Sequence, residues 1–504
     1  MRSWPGLVLS VAMLFGTGCA SVSTRAACPA EGGHAWHEVQ SAHFRVKTNL
    51  EPDEARKVTL DLERLRRALL SVWTRSFDPP GQLEAIVLRS RGQLAEFHMK
   101  ESGGFARFTA NGPLIVMDGG GDMLFAQDVD QDVHAHELVH YLSRFVLARQ
   151  PRWYAEGLAS YLETVYLRED GKEAVLGRPK AGLLDYVRNR PWLPLEALWR
   201  WEQEASTIAD LRMYYLSSWL WVAYLMNEHG PRFTDFQLRL SRAEDPRKAF
   251  EAAFAGAGDL ERGLHSYLEL SGFAIWAVPI AEVPSEMQVR ALEGAEVHAI
   301  RARLFLLGKG EGEQEQKKAA QLEVAQALKE NPTNVSAVQL HSTFLDNDAE
   351  RLALAELLVK ARPDSGLAWR LLAEAHGQAG SPMAVQEHAL VRAAELSPDD
   401  ASVHNLLAWL YMRSKAPQKG YEAAVRAVKL APFWPTYVDT YAAALFELGQ
   451  CAKSFNAQRR AIELLHEGAT EAERQDYQSR LTRNDTLCRE RAAAPAATPE
   501  GSQP

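Results

Sequence analysis

Hydrophobic and polar positions follow different patterns in the two halves of this chain. Between residues 35 and 125, short strand-like runs such as Phe44-Arg45-Val46-Lys47-Thr48 and Leu83-Glu84-Ala85-Ile86-Val87-Leu88 alternate with an amphipathic stretch from Glu54 to Trp73. The segment Gly104 to Asp118 adds one or two further strands. From Pro151 to about Phe273 the spacing of apolar residues is helical. The pattern predicts an α+β domain: a small mixed β-sheet with a helical subdomain.

Beyond this domain the sequence repeats itself. Pro332, Pro363, Pro398 and Pro432 fall 31, 35 and 34 residues apart, and each closes an alanine-rich amphipathic stretch. This interval is typical of paired-helix solenoids, whose small residues let the helices approach closely. The pattern therefore predicts an all-α repeat domain over residues 285–470. A plain helical bundle is the alternative.

Length and charge limit the classes of protein. With 504 residues and 46% hydrophobic content, the chain can fold as two or three units. Its net charge of −9 gives no attraction to nucleic acid, and we exclude that partner.

One predicted helix carries two histidines with a glutamate beside them. His136, Glu137 and His140 stand in the order His-Glu-Leu-Val-His. Residues four apart lie on one face of a helix, so both imidazoles can point at one ion, and they are good donors for zinc. About 0.06 such motifs are expected by chance in a chain of this composition. The alternative is a helix with two incidental histidines.

A catalytic zinc site needs a third protein ligand, and Glu156 is our candidate. The interval from His140 suffices to end one helix, turn at Gln150-Pro151, and bring a second helix across the first. The Glu156 carboxylate would then face the metal.

Residues 136 to 161 resemble the gluzincin metallopeptidases. The second helix of their aminopeptidase branch carries a Trp-x-x-Glu-Gly-x-Ala-Ser-Tyr signature. The residues that match it are Trp153, Glu156, Gly157, Ala159, Ser160 and Tyr161. The likeness is closer to the bacterial peptidase-MA-like group, which joins such a domain to helical repeats. The resemblance implies a zinc-metallopeptidase domain over residues 35–275, with His136, His140 and Glu156 as Zn2+ ligands and Glu137 as general base.

The chain also departs from the aminopeptidase branch. The spacer before Glu156 is shorter, and the segment Gly112 to Asp118 lacks that branch's amino-terminus-binding glutamate motif. These differences favour an endopeptidase. Ser160 stands where some gluzincins carry an aspartate that orients a ligand histidine, so another group must orient it here.

Amide hydrolysis by metal-activated water also requires a hydrogen-bond donor opposite the metal. Tyr214 or Tyr215 is the candidate. In the peptidase-MA-like proteins a Tyr-x-x-Ser pattern opens a comparable helix, and this resemblance favours Tyr215. A tyrosine beside Trp219 and Trp221 can equally be a core residue.

The repeats resemble the tetratricopeptide (TPR) pattern, and one unit matches it through the residues Leu407, Ala408, Tyr411, Gly420, Ala424, Ala427 and Pro432. The resemblance implies a TPR solenoid with a concave surface for a peptide or protein partner. The polar tail 489–504 is expected to be disordered.

The amino terminus predicts the compartment. Arg2 precedes an apolar run that ends at Gly16-Thr17-Gly18-Cys19, which resembles a bacterial lipoprotein signal over residues 1–18 with Cys19 as the lipidated residue. Residues 19–34 are then a linker. We expect a lipid anchor in the cell envelope, on the periplasmic side of the outer membrane, with secretion to the periplasm as the alternative. Cys451 and Cys488 could pair in that oxidising compartment.

The sequence thus predicts an envelope-anchored zinc endopeptidase that acts on peptide or protein substrates and uses its repeats to recruit clients. The alternative is a TPR adaptor lipoprotein with an inactive protease-like domain.

Overall fold

A computed structural model describes residues 25–493 of the chain. It leaves out 74–77, 99–103, 110–111, 120–132, 148, 169–170, 180–182, 190, 202–207, 271–272, 309–311 and 466–468. Cys19 and the signal-like segment before it lie outside the described residues.

The amino-terminal domain is built on a mixed sheet in the order β4-β5-β3-β2-β1-β9. β2, β3 and β5 are parallel to one another, and the remaining pairs are antiparallel. The strands are β1 His37–Gln40, β2 Phe44–Thr48, β3 Leu83–Leu88, β4 Gly104–Thr109, β5 Gly112–Asp118 and β9 Gln288–Ala291. The two runs that the sequence predicts as strands, and the further pair within Gly104 to Asp118, are confirmed.

Each face of this sheet has its own apolar core. Phe44, Val46 and Val87 point to the face that packs on helix α1, Pro52–Leu70. Ile86 and Val116 point to the opposite face, because side chains alternate along a strand. Helices therefore cover the sheet on both sides, which explains why β3 reads as a nearly continuous apolar run.

Ten helices belong to the amino-terminal domain as described. After α1 they are α2 Arg91–Glu96, α3 Val133–Val146, α4 Arg152–Leu162, α5 Leu183–Asn189, α6 Leu195–Trp199, α7 Ile208–Glu228, α8 Gly230–Ser241, α9 Pro246–Ala253 and α10 Leu260–Leu270.

The region from Pro151 to Phe273 is not wholly helical, contrary to the sequence prediction. It contains β6 Tyr166–Leu167 and β7 Glu173–Leu176, which form a second sheet with β8 Trp276–Pro279 in the order β6-β7-β8. The partner strand β8 is distant in sequence, so a local pattern could not reveal this sheet.

The carboxyl-terminal part is an all-α solenoid of consecutive paired helices. Its helices are α11 Gly294–Leu307, α12 Glu313–Glu330, α13 Val335–Ser342, α14 Asp348–Ala361, α15 Gly366–Gln378, α16 Met383–Leu396, α17 Ala401–Arg413, α18 Pro417–Leu430, α19 Pro435–Glu447, α20 Cys451–Glu463 and α21 Glu471–Ala493. The side chains of Asn334, Asn347, Ser365 and Asp400 cap helices α13, α14, α15 and α17 by accepting backbone N–H bonds. Buried alanines fill the space between helices.

The boundaries between regions differ from the sequence prediction in three places. Where described, from residue 25, the predicted linker packs into a core in which Ala26 and Cys28 are buried. Residues 276–291 add β8 and β9 to the sheets of the amino-terminal domain, beyond the predicted end at 275. Helix α21 begins after the predicted end of the repeats at 470 and runs to Ala493, into the tail predicted to be disordered from residue 489, and a disulfide between Cys451 and Cys488 ties it to α20. In each case a long-range contact extends the folded unit.

The helical array and the amino-terminal domain face each other across a groove of about 530 Å³. The sheet contributes Arg45 and Glu84, and the array contributes Arg370, Trp434 and Tyr437. Among the described helices, none is both long and apolar enough to cross a membrane.

Candidate metal site

Two consecutive helices carry the candidate ligands. α3 ends at Val146, and α4 begins directly after Pro151, whose fixed φ and missing N–H suit the start of a helix. α4 packs closely on α7 at Gly157, where a β-carbon would come within 2.4 Å of the Ser218 carbonyl oxygen. Glycine is therefore required at the position directly after Glu156, and this close packing fixes α4 against α7.

The structure brings His136, His140 and Glu156 together. The two Nε2 atoms are 3.1 Å apart. The Glu156 Oε2 atom lies 3.4 Å from Nε2 of His136 and 3.3 Å from Nε2 of His140. Three possible ligand atoms thus converge between α3 and α4.

Glu163 orients His136 from the other side of the ring. Its Oε2 atom lies 2.8 Å from Nδ1 of His136, which leaves Nε2 directed at His140 and Glu156. The Glu163 side chain is 7% exposed, so the carboxylate is held within the domain. The Glu163 carboxylate is thus placed where it could orient the ring in place of an aspartate at the position of Ser160.

Charges and hydrogen bonds within the cluster shift the pKa values of His136 and Glu156 strongly. Burial lowers the pKa of His136, but hydrogen bonds with Glu156 and Glu163 outweigh burial and raise this pKa to about 10. Burial raises the pKa of Glu156, but the charge of His140 and the hydrogen bonds with both histidines bring it well below its usual range. The two glutamates therefore strongly favour positive charge at this position.

The donor set fits a divalent metal ion. The ligand atoms of His136, His140 and Glu156 all lie within 4.8 Å of one another. Two imidazoles and one carboxylate are a known ligand set for catalytic zinc, and a carboxylate behind a ligand histidine is its usual support. A cation would replace the proton that the two glutamates favour on His136, because histidine binds metals as the neutral imidazole.

Glu137 and Tyr215 lie beside this cluster. Burial raises the pKa of Tyr215, and the charges of Glu156 and Glu137 act in the same direction. Arg152 opposes them through its charge and a hydrogen bond to the Tyr215 side chain. The interactions with both glutamates indicate that the Tyr215 hydroxyl lies near the site.

The two candidate tyrosines differ in burial. Tyr214 is 5% exposed and packs on Trp201, with ring centroids 5.1 Å apart. Tyr215 is only partly buried, and its ring meets Trp201 edge-on. Helix α7 begins at Ile208, so Tyr215 does not open this helix but lies two turns inside it. Tyr214 is a core residue, whereas Tyr215 keeps some access to solvent.

Sequence reasoning missed three charged residues near the site: Glu163, Arg144 and Arg152. Glu163 is the residue at the end of α4 and follows Glu156 by seven residues, two helical turns, which places both on the same side of the helix. Arg144 follows His140 by four residues and interacts with Glu156 and Glu137. The guanidinium of Arg152 lies 4.7 Å from the centre of the Trp201 ring. Helical spacing could have shown that Glu163 and Arg144 neighbour the ligand residues of their own helices, but the contact of Glu163 with His136 and the position of Arg152 appear only in the tertiary fold.

No family model and no curated protein matches this chain. Solved structures match parts of it: a MamA protein at 17% identity covers 34% of this chain and 91% of its own, with a TM-score of 0.27. A thermophilic TPR protein from Thermus thermophilus, at 18% identity, covers 37% of this chain and 98% of its own, with a TM-score of 0.30. These scores are low, and the solenoid is identified from its own helices and repeats.

Proposed function

We propose that this chain is a zinc-dependent peptidase of the gluzincin type, in which His136, His140 and Glu156 hold the metal. The observation that carries the proposal is the convergence of the three ligand atoms, with the Glu163 carboxylate behind His136. A bare pair of histidines on a helix would not need a buried carboxylate directed at the outer ring nitrogen. A metal site does, because this hydrogen bond fixes the ring and its tautomer.

Each remaining residue has a role in amide hydrolysis. A bound zinc ion supplies Lewis acidity, which polarises a carbonyl and makes water acidic. The Glu137 carboxylate can accept a proton from water and return it to the leaving amine nitrogen. The Tyr215 hydroxyl can donate a hydrogen bond to the substrate oxygen on which negative charge develops. Arg152 orients that hydroxyl.

Strand β4 supports an endopeptidase. It ends the sheet, pairs only with β5 among the described strands, and runs beside α3. An extended peptide can add to such an edge through main-chain hydrogen bonds, which select neither terminus of the substrate.

We also place the protein in the bacterial cell envelope. Cys19 would carry the lipid anchor, and a disulfide such as Cys451–Cys488 is expected to persist in an oxidising compartment. In this proposal the helical array binds protein clients, as repeat solenoids commonly do.

A second candidate is a protein-interaction scaffold without catalysis. It requires only the helical array, which accounts for about two fifths of the chain as described. In that case the cluster on α3 and α4 would be a metal-stabilised or purely structural feature. Metal content and proteolysis distinguish the two candidates.

The experiment compares wild type, Glu137→Gln and His140→Ala for bound zinc and for casein cleavage. About one zinc per wild-type chain, lost in His140→Ala but kept in Glu137→Gln, with cleavage only in the wild type, supports the peptidase. Zinc without cleavage in the wild type contradicts general endopeptidase activity and favours the scaffold. A metal-free wild type that matches His140→Ala refutes the metal site.

A further inference from the structure

We infer that the helical array is part of the metal site's support, and that Arg149 is the residue that connects them. This inference rests on the proposed function. Arg149 lies in the short segment between α3 and α4, the two helices that carry every proposed metal ligand. The position of this corner determines how Glu156 faces His136 and His140.

Arg149 contacts two other parts of the molecule at once. Its Nη1 atom lies 3.2 Å from Oε1 of Glu463, on α20 of the array. The same atom lies 3.4 Å from Oδ2 of Asp245, which caps the start of α9. Arg149 and Glu463 are 26% and 16% exposed, so solvent screens this pair less than an ordinary surface ion pair.

An aromatic contact lies beside the ion pair. The ring of Phe145, near the end of α3, meets Phe433 of the array edge-on, with centroids 5.0 Å apart. Phe145 also packs on Tyr141, which follows the proposed ligand His140. Phe433 is 6% exposed and is therefore largely buried. The array thus contacts the α3–α4 corner through both an apolar and an ionic group.

The Arg149 ion pair differs in position from the other ion pairs between the array and the domain. The array has other ion pairs with the domain, such as Arg303 of α11 with Glu84 of β3 and Arg301 of α11 with Glu96 of α2, but these pairs lie at the sheet and its covering helix. Only the Arg149 pair reaches the segment that joins the ligand helices, among the ion pairs of the described residues. Loosening this corner should displace Glu156 relative to His136 and His140. Because small displacements of positioned groups lower the rate strongly, catalysis should slow.

The test measures Co2+ binding, through the visible absorption of the bound ion, and casein cleavage for Arg149→Met, Glu463→Gln and the double variant. Arg149→Lys keeps the charge, and Arg303→Met is the matched control. We expect Arg149→Met and Glu463→Gln each to weaken Co2+ binding about threefold to tenfold. Each should lower kcat by a larger factor than it changes KM. The double variant should be no worse than Arg149→Met, Arg149→Lys should recover most of the loss, and Arg303→Met should bind Co2+ like the wild type.

Two results overturn the inference. One is wild-type Co2+ affinity and kcat in both Arg149→Met and Glu463→Gln. The other is an equal loss in Arg303→Met, which would mean that general destabilisation is the cause. A wild type that binds no Co2+ defeats the proposed function instead. Amide hydrogen exchange over residues 145–156 then decides the inference: faster exchange in Arg149→Met than in Arg303→Met supports it, and equal exchange refutes it.

Discussion

The amino-terminal domain and the helical array bury their surfaces in opposite ways. The domain is filled with large aromatic side chains, and Trp153, Trp201 and Trp221 are each at most 1% exposed. The array is filled with small ones, such as Ala368, Ala393 and other fully buried alanines. Large side chains from distant segments fix one irregular arrangement, whereas small residues let similar helices stack repeatedly. Because an irregular core brings residues from distant segments together, polar groups from different elements can converge in the domain.

The largest expected effect is on the aromatic core of the domain. Trp153→Ala should lower the free energy of unfolding by about 3 to 5 kcal/mol, because it leaves a large cavity beneath α4. Calorimetry would measure the loss. Trp276→Ala is the control, because Trp276 is 49% exposed and its truncation should change little. Equal losses in the two variants would contradict the role given to this core.

The array should respond most to loss of its covalent link. Cys451→Ser removes the disulfide that joins α20 to α21, which closes a loop of 37 residues. The chain-entropy account predicts a loss of about 3 to 4 kcal/mol in the stability of the array. Chemical denaturation followed by circular dichroism would show it. Reducing agent should destabilise the wild type and leave Cys451→Ser unchanged; an unaffected wild type would show that the link contributes nothing.

Overpacking tests the small-residue core directly. Ala368→Leu should destabilise the array by about 1 to 3 kcal/mol, because the three added heavy atoms have no space unless α15 moves. Leu357→Ala on the exposed surface of α14 is the control, since Leu357 is 63% exposed. Thermal unfolding of both variants makes the comparison. If Ala368→Leu were neutral, the array would not be closely packed there.

Glu163→Gln tests the support of the metal site without changing its ligands. We expect metal affinity to fall about 10-fold to 100-fold, because the amide no longer fixes the His136 ring through a charged acceptor. A competition assay with a zinc indicator would measure the change. Glu173→Gln, a carboxylate 42% exposed on β7, is the control. Unchanged affinity in Glu163→Gln would contradict the role assigned to this carboxylate.

The smallest effect concerns pH at the contact between the two regions. Burial raises the pKa of Glu84, but Lys47 and Arg303 outweigh it and lower this pKa from 4.5 to about 2. A lowered carboxyl pKa stabilises the folded state above the unfolded value and loses this contribution as pH falls from 4.5 towards 2. Glu84→Gln should therefore reduce stability by about 1 to 2 kcal/mol at pH 7 and by almost nothing near pH 2. Urea unfolding at both pH values would check this, and an equal loss at both would contradict it.

Much of this molecule was predictable from local pattern. The strands at Phe44 and Leu83, the helix after Glu51 and the repeating helices beyond residue 294 follow from periodicity and capping residues. His136 and His140 share a face because of helical geometry alone. The sheet formed by β6, β7 and β8 was missed, since its strands are short and their partners lie far apart in sequence.

By itself, the sequence determined the elements and the residues with metal-binding chemistry, because propensity, helical period and ligand type are local properties. Only the tertiary structure decided that Glu163 supports His136, that Tyr215 rather than Tyr214 keeps access to solvent, and that Arg149 connects the ligand helices to the array. These relations depend on how separate elements pack. Packing is set by the sum of many long-range contacts, which no short segment of the sequence contains.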